Sequence, residues 1–212
     1  MIKGLIFDMD GTIIDSMTMW KRMGYDYVIS KGINPHTDIL LDMHDLNMVE
    51  SLEYLKNNYF SDQSTDDIYK ELMDMIRKNY QRVDFKPGAK EFIIDCYNKG
   101  IKMFIATATK RDLAIEVLDR LDISKYFLGV ITVGEIKVGK KHPDIYHYSL
   151  DKLGLKQEEV LVFEDNHHAI KTAHDAGYKV YAVYEETQKM YLDKIKESVE
   201  KVINDYQDFK LI

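Results

Sequence analysis

Short apolar runs recur along the chain, and helical patterns separate them. The runs are rich in β-branched and aromatic residues and end at polar residues, which is typical of buried parallel strands. They predict strands at residues 5–7, 101–106, 130–133, 160–163 and 180–184.

Apolar residues between the later runs recur at spacings of three and four, which place them on one face of a helix. The helix faces predicted in this way are Phe92, Ile93, Cys96 and Tyr97; Leu113, Val117, Leu118 and Leu121; and Leu192, Ile195, Val199 and Val202. Strands that alternate with helices predict an α/β fold with a Rossmann-like, doubly wound parallel sheet.

One long segment, from about residue 15 to residue 85, lacks any strand pattern. It contains three further helix faces, and Ser64 or Thr65 is suited to cap the last of these helices. The faces are Met17, Trp20, Met23 and Tyr27; Val49, Leu52 and Leu55; and Ile68, Leu72 and Ile76. The sequence therefore predicts a core domain formed by residues 1–14 and 86–212, and an inserted helical domain at residues 15–85.

Composition excludes several classes of protein. The net charge of −7 over 212 residues does not resemble the basic surface of a nucleic-acid-binding protein. The single cysteine, Cys96, cannot form an internal disulfide. The first apolar run is too short for a signal peptide, and no run approaches the roughly 18 apolar residues of a membrane span. We therefore expect a cytoplasmic protein without nucleic-acid or membrane partners.

Polar residues stand where the predicted strands end. Asp8 follows the first strand, Thr107 follows the second, and Glu164 and Asp165 follow the fourth, while Lys140 lies in the loop after the third. Ligands of open parallel sheets bind outside the carboxyl ends of the strands. We therefore expect these residues to meet in one crevice.

The acidic residues of this set predict a bound cation. Asp8, Asp10 and Asp165 are hard oxygen donors of the kind that Mg²⁺ prefers. Two carboxylates roughly 4 Å apart repel each other by about 4 kcal/mol at an effective dielectric constant near 20. A divalent ion removes that repulsion and also binds a phosphate oxygen.

The same residues suit phosphoryl transfer. Asp8 can attack phosphorus and form an aspartyl-phosphate, and Asp10 can protonate the leaving oxygen and then activate water. Gly11 allows a sharp turn after the two carboxylates. The Thr107 hydroxyl and the Lys140 charge can bind the remaining phosphate oxygens.

Four segments of the chain resemble the motifs of the haloacid dehalogenase superfamily, in its phosphatase and β-phosphoglucomutase-like branch. They are the DMDGT segment at residues 8–12 and, in order, residues 105–110, 139–144 and 164–165. The resemblance covers nearly the whole chain. It implies that residues 15–85 form the helical cap that closes over the substrate of such enzymes.

The resemblance also implies a role for each motif residue. Asp8 would be the nucleophile and a metal ligand, and Asp10 would be the acid/base and a ligand through its carbonyl group. The remaining roles are phosphate binding by Thr107, Lys140 and the Ala108 amide, and Mg²⁺ binding by Asp165 and, directly or through water, by Glu164. Since the dehalogenases lack an aspartate at the position of Asp10, dehalogenation is disfavoured.

The sequence departs from the family pattern at a few positions. Trp20 stands where sugar-phosphate mutases of the family carry a histidine, which argues against a hexose phosphate mutase. Residues 166–169 replace the usual Ser-x-x-Gly, and Lys141 replaces a common proline. These changes remove no chemical group from the predicted site, but they can alter substrate access.

Several residues also have plainer interpretations. Asp10 with Gly11 is also consistent with a simple turn, and Glu164 with Asp165 is consistent with a helix N-cap. Lys141 competes with Lys140 for the phosphate-binding role. His167 and His168 fit the first turn of a helix as well as a substrate contact, and Trp20 fits the core of the helical domain.

The leading prediction is a magnesium-dependent phosphatase that hydrolyses a small, sugar-phosphate-like metabolite through an aspartyl-phosphate. The alternatives are a phosphomutase of the β-phosphoglucomutase type and a catalytically silent binding protein. We expect a monomer or a weak homo-oligomer. The sequence does not identify the physiological substrate.

Overall fold

The computed structural model describes residues 1–36, 38–44, 46–207 and 209. Among these residues, six parallel strands form one sheet in the order β3-β2-β1-β4-β5-β6. The strands are β1 (Gly4–Phe7), β2 (Lys102–Thr107), β3 (Val130–Thr132), β4 (Val160–Glu164), β5 (Lys179–Val183) and β6 (Lys201–Ile203). The prediction of a parallel α/β sheet is therefore confirmed.

Helices connect the strands and fill the inserted segment. Their bounds are α1 (Met17–Ser30), α2 (Ile39–Asp42), α3 (Met48–Tyr59), α4 (Thr65–Tyr80), α5 (Ala89–Asn98), α6 (Arg111–Arg120), α7 (Val133–Ile136), α8 (Asp144–Leu153), α9 (His167–Asp175) and α10 (Leu192–Lys196). No helix within the described ranges has the length and apolar character needed to cross a membrane.

The direction in which the chain adds successive strands reverses at the centre of the sheet. From β1 the chain adds β2 and then β3 on one side, and it returns to place β4, β5 and β6 on the other side. The crevice of a doubly wound sheet opens where the order reverses, outside the carboxyl ends of the strands. Here that point lies between β1 and β4, where Phe7 is paired with Phe163.

The sheet is buried because its strands are apolar on both faces. Leu5, Ile6 and Phe7 of β1 are each 0% exposed. The Phe7 ring stacks on the Phe163 ring of β4, with 4.9 Å between centroids. This packing fixes the two central strands whose ends carry the predicted acidic residues.

The prediction of a C-terminal helix that reaches Val202 is wrong. Helix α10 ends at Lys196, and Val202 lies in β6, where it pairs with Ala182 of β5. The spacing of Leu192, Ile195, Val199 and Val202 fits a helix, but the open edge of β5 offers backbone hydrogen bonds to a β-branched segment. Tertiary pairing therefore overrides the local pattern.

The chain divides into two compact units, residues 1–15 with 83–212 and residues 16–82. The second unit consists of α1 to α4. Ser64 caps α4 by accepting a hydrogen bond from the Asp67 amide, as one of the two predicted alternatives requires. Trp20 donates its indole N–H to the Tyr80 hydroxyl at 3.2 Å, so its partner lies within the helical unit.

Candidate active site

Asp8 follows the last residue of β1 directly and continues the pairing with β4. Its amide donates to the Phe163 carbonyl at 2.9 Å, and the residue is 6% exposed. The backbone therefore holds a nearly buried carboxylate at the central crevice of the sheet.

A tight turn follows Asp8 and places Asp10 beside the loop that follows β2. The Met9 carbonyl accepts from the amides of Ile13 and Ile14, and Gly11 takes a φ of 77°, which favours glycine. The half-buried Asp10 accepts a hydrogen bond on Oδ2 from the Thr109 hydroxyl at 2.7 Å. The turn that the Asp10-Gly11 pair predicts is therefore present, and its carboxylate is also hydrogen-bonded to a residue 99 positions away in the sequence.

Thr107 is the last residue of β2 and is fully buried. Its hydroxyl oxygen accepts from the Thr109 amide at 3.1 Å, while Ala108 between them is exposed. A hydroxyl that accepts one hydrogen bond can still donate another. Thr107 is therefore able to donate to an anion at this edge.

Glu164 ends β4, and its carboxylate organises the loop that follows. Oε2 accepts from the amides of Asp165 and Asn166 at 3.0 and 3.2 Å. The N-cap of α9 is Asn166, whose side chain accepts from the His168 amide. Capping of α9 by Asn166 leaves Glu164 and Asp165 available for a different role.

Lys140 brings its ammonium group into this acidic crevice. Its Nζ donates to Asp8 Oδ1 and, at 2.5 Å, to Glu164 Oε1, with 12% of the side chain exposed. Burial lowers the pKa of Lys140, but the two carboxylates outweigh burial and raise the pKa above its ordinary value. Lys141 is exposed, so of the two lysines it is Lys140 that meets the Asp8 carboxylate.

Three carboxylates form a compact group suited to a cation. One oxygen from each of Asp8, Glu164 and Asp165 lies within 4.8 Å of the others, and all three residues are buried. Burial, opposed by Lys140, raises the pKa of Asp8 to about 8, and burial together with Glu164 raises the pKa of Asp165. Within the described residues, the buried Asp165 Oδ2 has no hydrogen-bond partner. These features fit a hard divalent cation.

The side chain of Asp10 is not part of this group of three carboxylates. It is turned toward Thr109 instead. Ligation through the Asp10 carbonyl, which the resemblance implies, stays a prediction.

Two residues of the site were missed from the sequence. Thr109 lies within the second motif segment, but nothing in its spacing indicates a bond to Asp10. Tyr146 is fully buried on α8, and its hydroxyl donates to Glu164 Oε1 at 3.2 Å. Because it occupies the apolar face of that helix, the sequence pattern favours a core position.

His167 has a packing role in this structure. Its ring stacks on Tyr191 with 3.6 Å between centroids, and its Nδ1 lies 3.0 Å from Gln188 Oε1. These contacts favour the plainer interpretation, in which His167 belongs to the first turn of α9. His168 is exposed.

Comparison with known proteins assigns the family. The sequence profile of the haloacid dehalogenase-like hydrolases matches residues 5–183. The chain is a haloacid dehalogenase-like hydrolase. The match spans most of this hydrolase and includes all four of its motif segments.

Two curated relatives of this hydrolase are named as phosphatases of phosphorylated carbohydrates or hexitols. A phosphorylated carbohydrates phosphatase of Thermotoga maritima is 29% identical over 197 residues, which cover 86% of this chain and 85% of the relative. Hexitol phosphatase B of Escherichia coli is 26% identical over 168 residues, covering 78% and 76%. The hydrolase is thus similar to sugar-phosphate phosphatases over most of its length.

Solved structures agree with the fold. A Thermotoga maritima protein described as a candidate β-phosphoglucomutase superposes with a TM-score of 0.81 at 25% identity, covering 95% of this chain and 94% of that protein. CbbY of Rhodobacter sphaeroides, solved with phosphate, gives a TM-score of 0.79 at 16% identity, covering 98% and 96%. The second likeness concerns the fold alone.

Proposed function

We propose that this hydrolase is a magnesium-dependent phosphatase that releases phosphate from a small, sugar-phosphate-like ester through an aspartyl-phosphate on Asp8. One observation carries the proposal: a nearly buried nucleophile, Asp8, meets the ammonium group of Lys140 and the carboxylates of Glu164 and Asp165 at the central crevice. Thr107 ends the adjacent strand of the same sheet.

In the first step, a carboxylate oxygen of Asp8 attacks phosphorus. The bond from phosphorus to the ester oxygen breaks, and its electron pair stays on that oxygen, which takes a proton from Asp10. Thr107, the Ala108 amide and Lys140 bind the phosphate oxygens and stabilise the charge that develops on them.

In the second step, the Asp10 carboxylate takes a proton from water as the water oxygen attacks phosphorus. The bond between phosphorus and Asp8 breaks, and its electron pair returns to the Asp8 carboxylate. Inorganic phosphate leaves, and Asp10 is protonated again for the next cycle.

The donor set fits Mg²⁺. Asp8, Asp165, Glu164 and the Asp10 carbonyl would hold it, and the bound ion would neutralise the crowded carboxylates and the negative charge of the phosphate. The metal requirement rests on the buried Asp165 oxygen and on the mutual repulsion of the three acids.

We propose that the helical unit, residues 16–82, selects the substrate in the manner of the cap that the family resemblance implies. The insertion begins soon after Asp10, and the relatives with phosphatase names support a phosphorylated carbohydrate as the substrate class. We place this chemistry in the cytoplasm, on a monomer or a weak homo-oligomer.

A panel of phosphate esters tests the proposal. Sugar phosphates, hexitol phosphates and pyrophosphate are supplied with Mg²⁺ or with EDTA, and released phosphate is measured. We expect turnover of a sugar-phosphate-like ester that EDTA abolishes and Mg²⁺ restores, and a loss of at least about 10³-fold in Asp8→Asn. Turnover that survives chelation or this substitution contradicts the mechanism.

The covalent intermediate has its own measurement. Acid quench during turnover, followed by mass spectrometry of the peptide that contains Asp8, is expected to detect one added phosphoryl group. Asp8→Asn serves as the control, since it removes the proposed nucleophile and should show no added phosphoryl group. Phosphate found on another residue excludes the assignment to Asp8.

A phosphomutase is the second candidate, and the likeness to the candidate β-phosphoglucomutase structure favours it. Trp20, which bonds to Tyr80 within the helical unit, replaces the histidine expected of a hexose phosphate mutase. Labelled glucose 1-phosphate distinguishes the two functions: a phosphatase gives labelled inorganic phosphate, and a mutase gives labelled isomer. Isomer as the main product would reject the phosphatase.

A further inference from the structure

The side chain of Asp10 is held by a residue that lies outside the nucleophile strand. The Thr109 hydroxyl donates to Asp10 Oδ2 at 2.7 Å, within the range of a strong hydrogen bond to a carboxylate. Thr109 is 6% exposed, whereas Asp10 is half-buried. The threonine is therefore the more enclosed member of the pair.

Thr109 is itself fixed by the phosphate-binding segment. Its amide donates to the Thr107 hydroxyl at 3.1 Å, and the next residue, Lys110, is the N-cap of α6. The side chain of Thr109 is β-branched and therefore has few accessible rotamers. The position of its hydroxyl is thus set by the end of β2 and the start of α6, and not by the loop that carries Asp10.

We propose that Thr109 is a positioning residue that orients the Asp10 carboxyl for proton transfer to and from the reacting oxygens. The inference rests on the proposed phosphatase function. With Oδ2 bonded to Thr109, rotation of the carboxyl group is restricted. A residue anchored beside Thr107 thereby ties the acid/base to the phosphate-binding threonine.

This role makes the effect of losing Thr109 depend on the leaving group. An alkoxide is a poor leaving group and needs the proton from Asp10, whereas 4-nitrophenolate leaves without one. The value of kcat/KM reports the steps up to release of the leaving group. Loss of orientation should therefore lower kcat/KM for an alkyl phosphate and spare it for 4-nitrophenyl phosphate.

The experiment compares wild type, Thr109→Val and Thr109→Ser on a hexitol phosphate and on 4-nitrophenyl phosphate with Mg²⁺. We expect Thr109→Val to lower kcat/KM about 10–100-fold for the alkyl ester and less than about 3-fold for the aryl ester. With the aryl ester, kcat and KM should fall together and a burst of nitrophenol should appear, because dephosphorylation still needs Asp10. Thr109→Ser, which keeps the hydroxyl, should restore most of the loss.

Thr132→Val is the matched control. Thr132 is also buried, at 3% exposed, and its hydroxyl donates to Glu135 Oε2 at 3.0 Å. This variant should cost stability but leave the ratio of the two kcat/KM values unchanged. In an Asp10→Asn background, Thr109→Val should cause no further loss on the alkyl ester.

The outcomes separate this inference from the proposed function. Any of three results would overturn the positioning role while leaving the proposed phosphatase function intact. They are equal losses of kcat/KM on both esters, a Thr109→Ser variant as impaired as Thr109→Val, and a full additional loss from Thr109→Val in the Asp10→Asn background. If the wild type turned over neither ester, the positioning role and the proposed phosphatase function would both be overturned.

Discussion

Lys140 and Lys141 are identical side chains next to each other, yet the fold gives them different surroundings. Lys140 is paired with Asp8 and Glu164 inside the crevice, and Lys141 is exposed. The motif position favours Lys140, but a doublet read from sequence leaves the choice open. The two buried carboxylates resolve it, because they need a cation beside them.

Neutralising each lysine in turn tests this assignment. We expect Lys140→Gln to lower kcat/KM for phosphate esters by at least about 10²-fold, since the charge that pairs with Asp8 and that we propose to bind phosphate is lost. Lys141→Gln should stay within about 2-fold of wild type, because its ammonium group is in solvent. Steady-state phosphate release measures both variants, and equal losses would contradict the assignment.

At the scale of elements, residues 206–207, which we call the C-terminal segment, pack across the start of α5. The Tyr206 amide donates to the Pro87 carbonyl at 3.0 Å, and the Tyr206 ring lies 5.1 Å from that of Phe92. Gly88 is the N-cap residue of α5 and has a φ of 76°, and a Cβ at this position would lie 2.6 Å from the backbone nitrogen of Gln207. The backbone of the C-terminal segment thus passes close to this glycine.

Gly88→Ala and Gly100→Ala form a matched pair that measures the close approach. Both glycines have a positive φ, at 76° and 74°, but a Cβ at Gly100 would meet nothing within 4 Å. We expect Gly100→Ala to lower the free energy of unfolding by about 1 kcal/mol through backbone strain alone. Gly88→Ala should lower it by roughly 1–3 kcal/mol more, because the two backbones must move apart.

Denaturant-induced unfolding measures the change in the free energy of unfolding for each variant, provided that the free energy depends on denaturant concentration with the same slope in all of them. Removal of residues 206–212 should abolish the difference between the two alanine variants. An equal effect of the two substitutions in the full chain would mean that the C-terminal segment moves away without cost.

At the scale of the whole molecule, the site places negative charges in the interior of an acidic protein. Asp8, Glu164 and Asp165 are all under 10% exposed, and Lys140 compensates only part of their charge. A cation that binds the folded chain stabilises it by about 2.7 kcal/mol at 100 times its Kd. We expect Mg²⁺ to raise the melting temperature above that in EDTA by roughly 5–10 °C at this saturation.

Asp165→Asn is the control for metal-dependent stability. It replaces a charged carboxylate donor by a neutral amide, so its melting temperature should respond much less to Mg²⁺ than that of the wild type. In EDTA it should be at least as stable as wild type, since the repulsion is smaller. Scanning calorimetry measures both proteins, and a wild-type melting temperature that ignores Mg²⁺ would argue against the metal site.

The sequence alone determined the alternation of strands and helices, the helical insertion and the strand-end positions of Asp8, Thr107 and Glu164. These follow from local periodicity and from the rule that parallel strands end at one edge. Only the tertiary structure decided that Val202 pairs in β6, that Thr109 holds Asp10 and that Tyr146 meets Glu164. Each of these contacts joins groups that are distant in sequence. Such contacts leave no local sequence pattern, because packing and strand pairing determine them and local propensity does not.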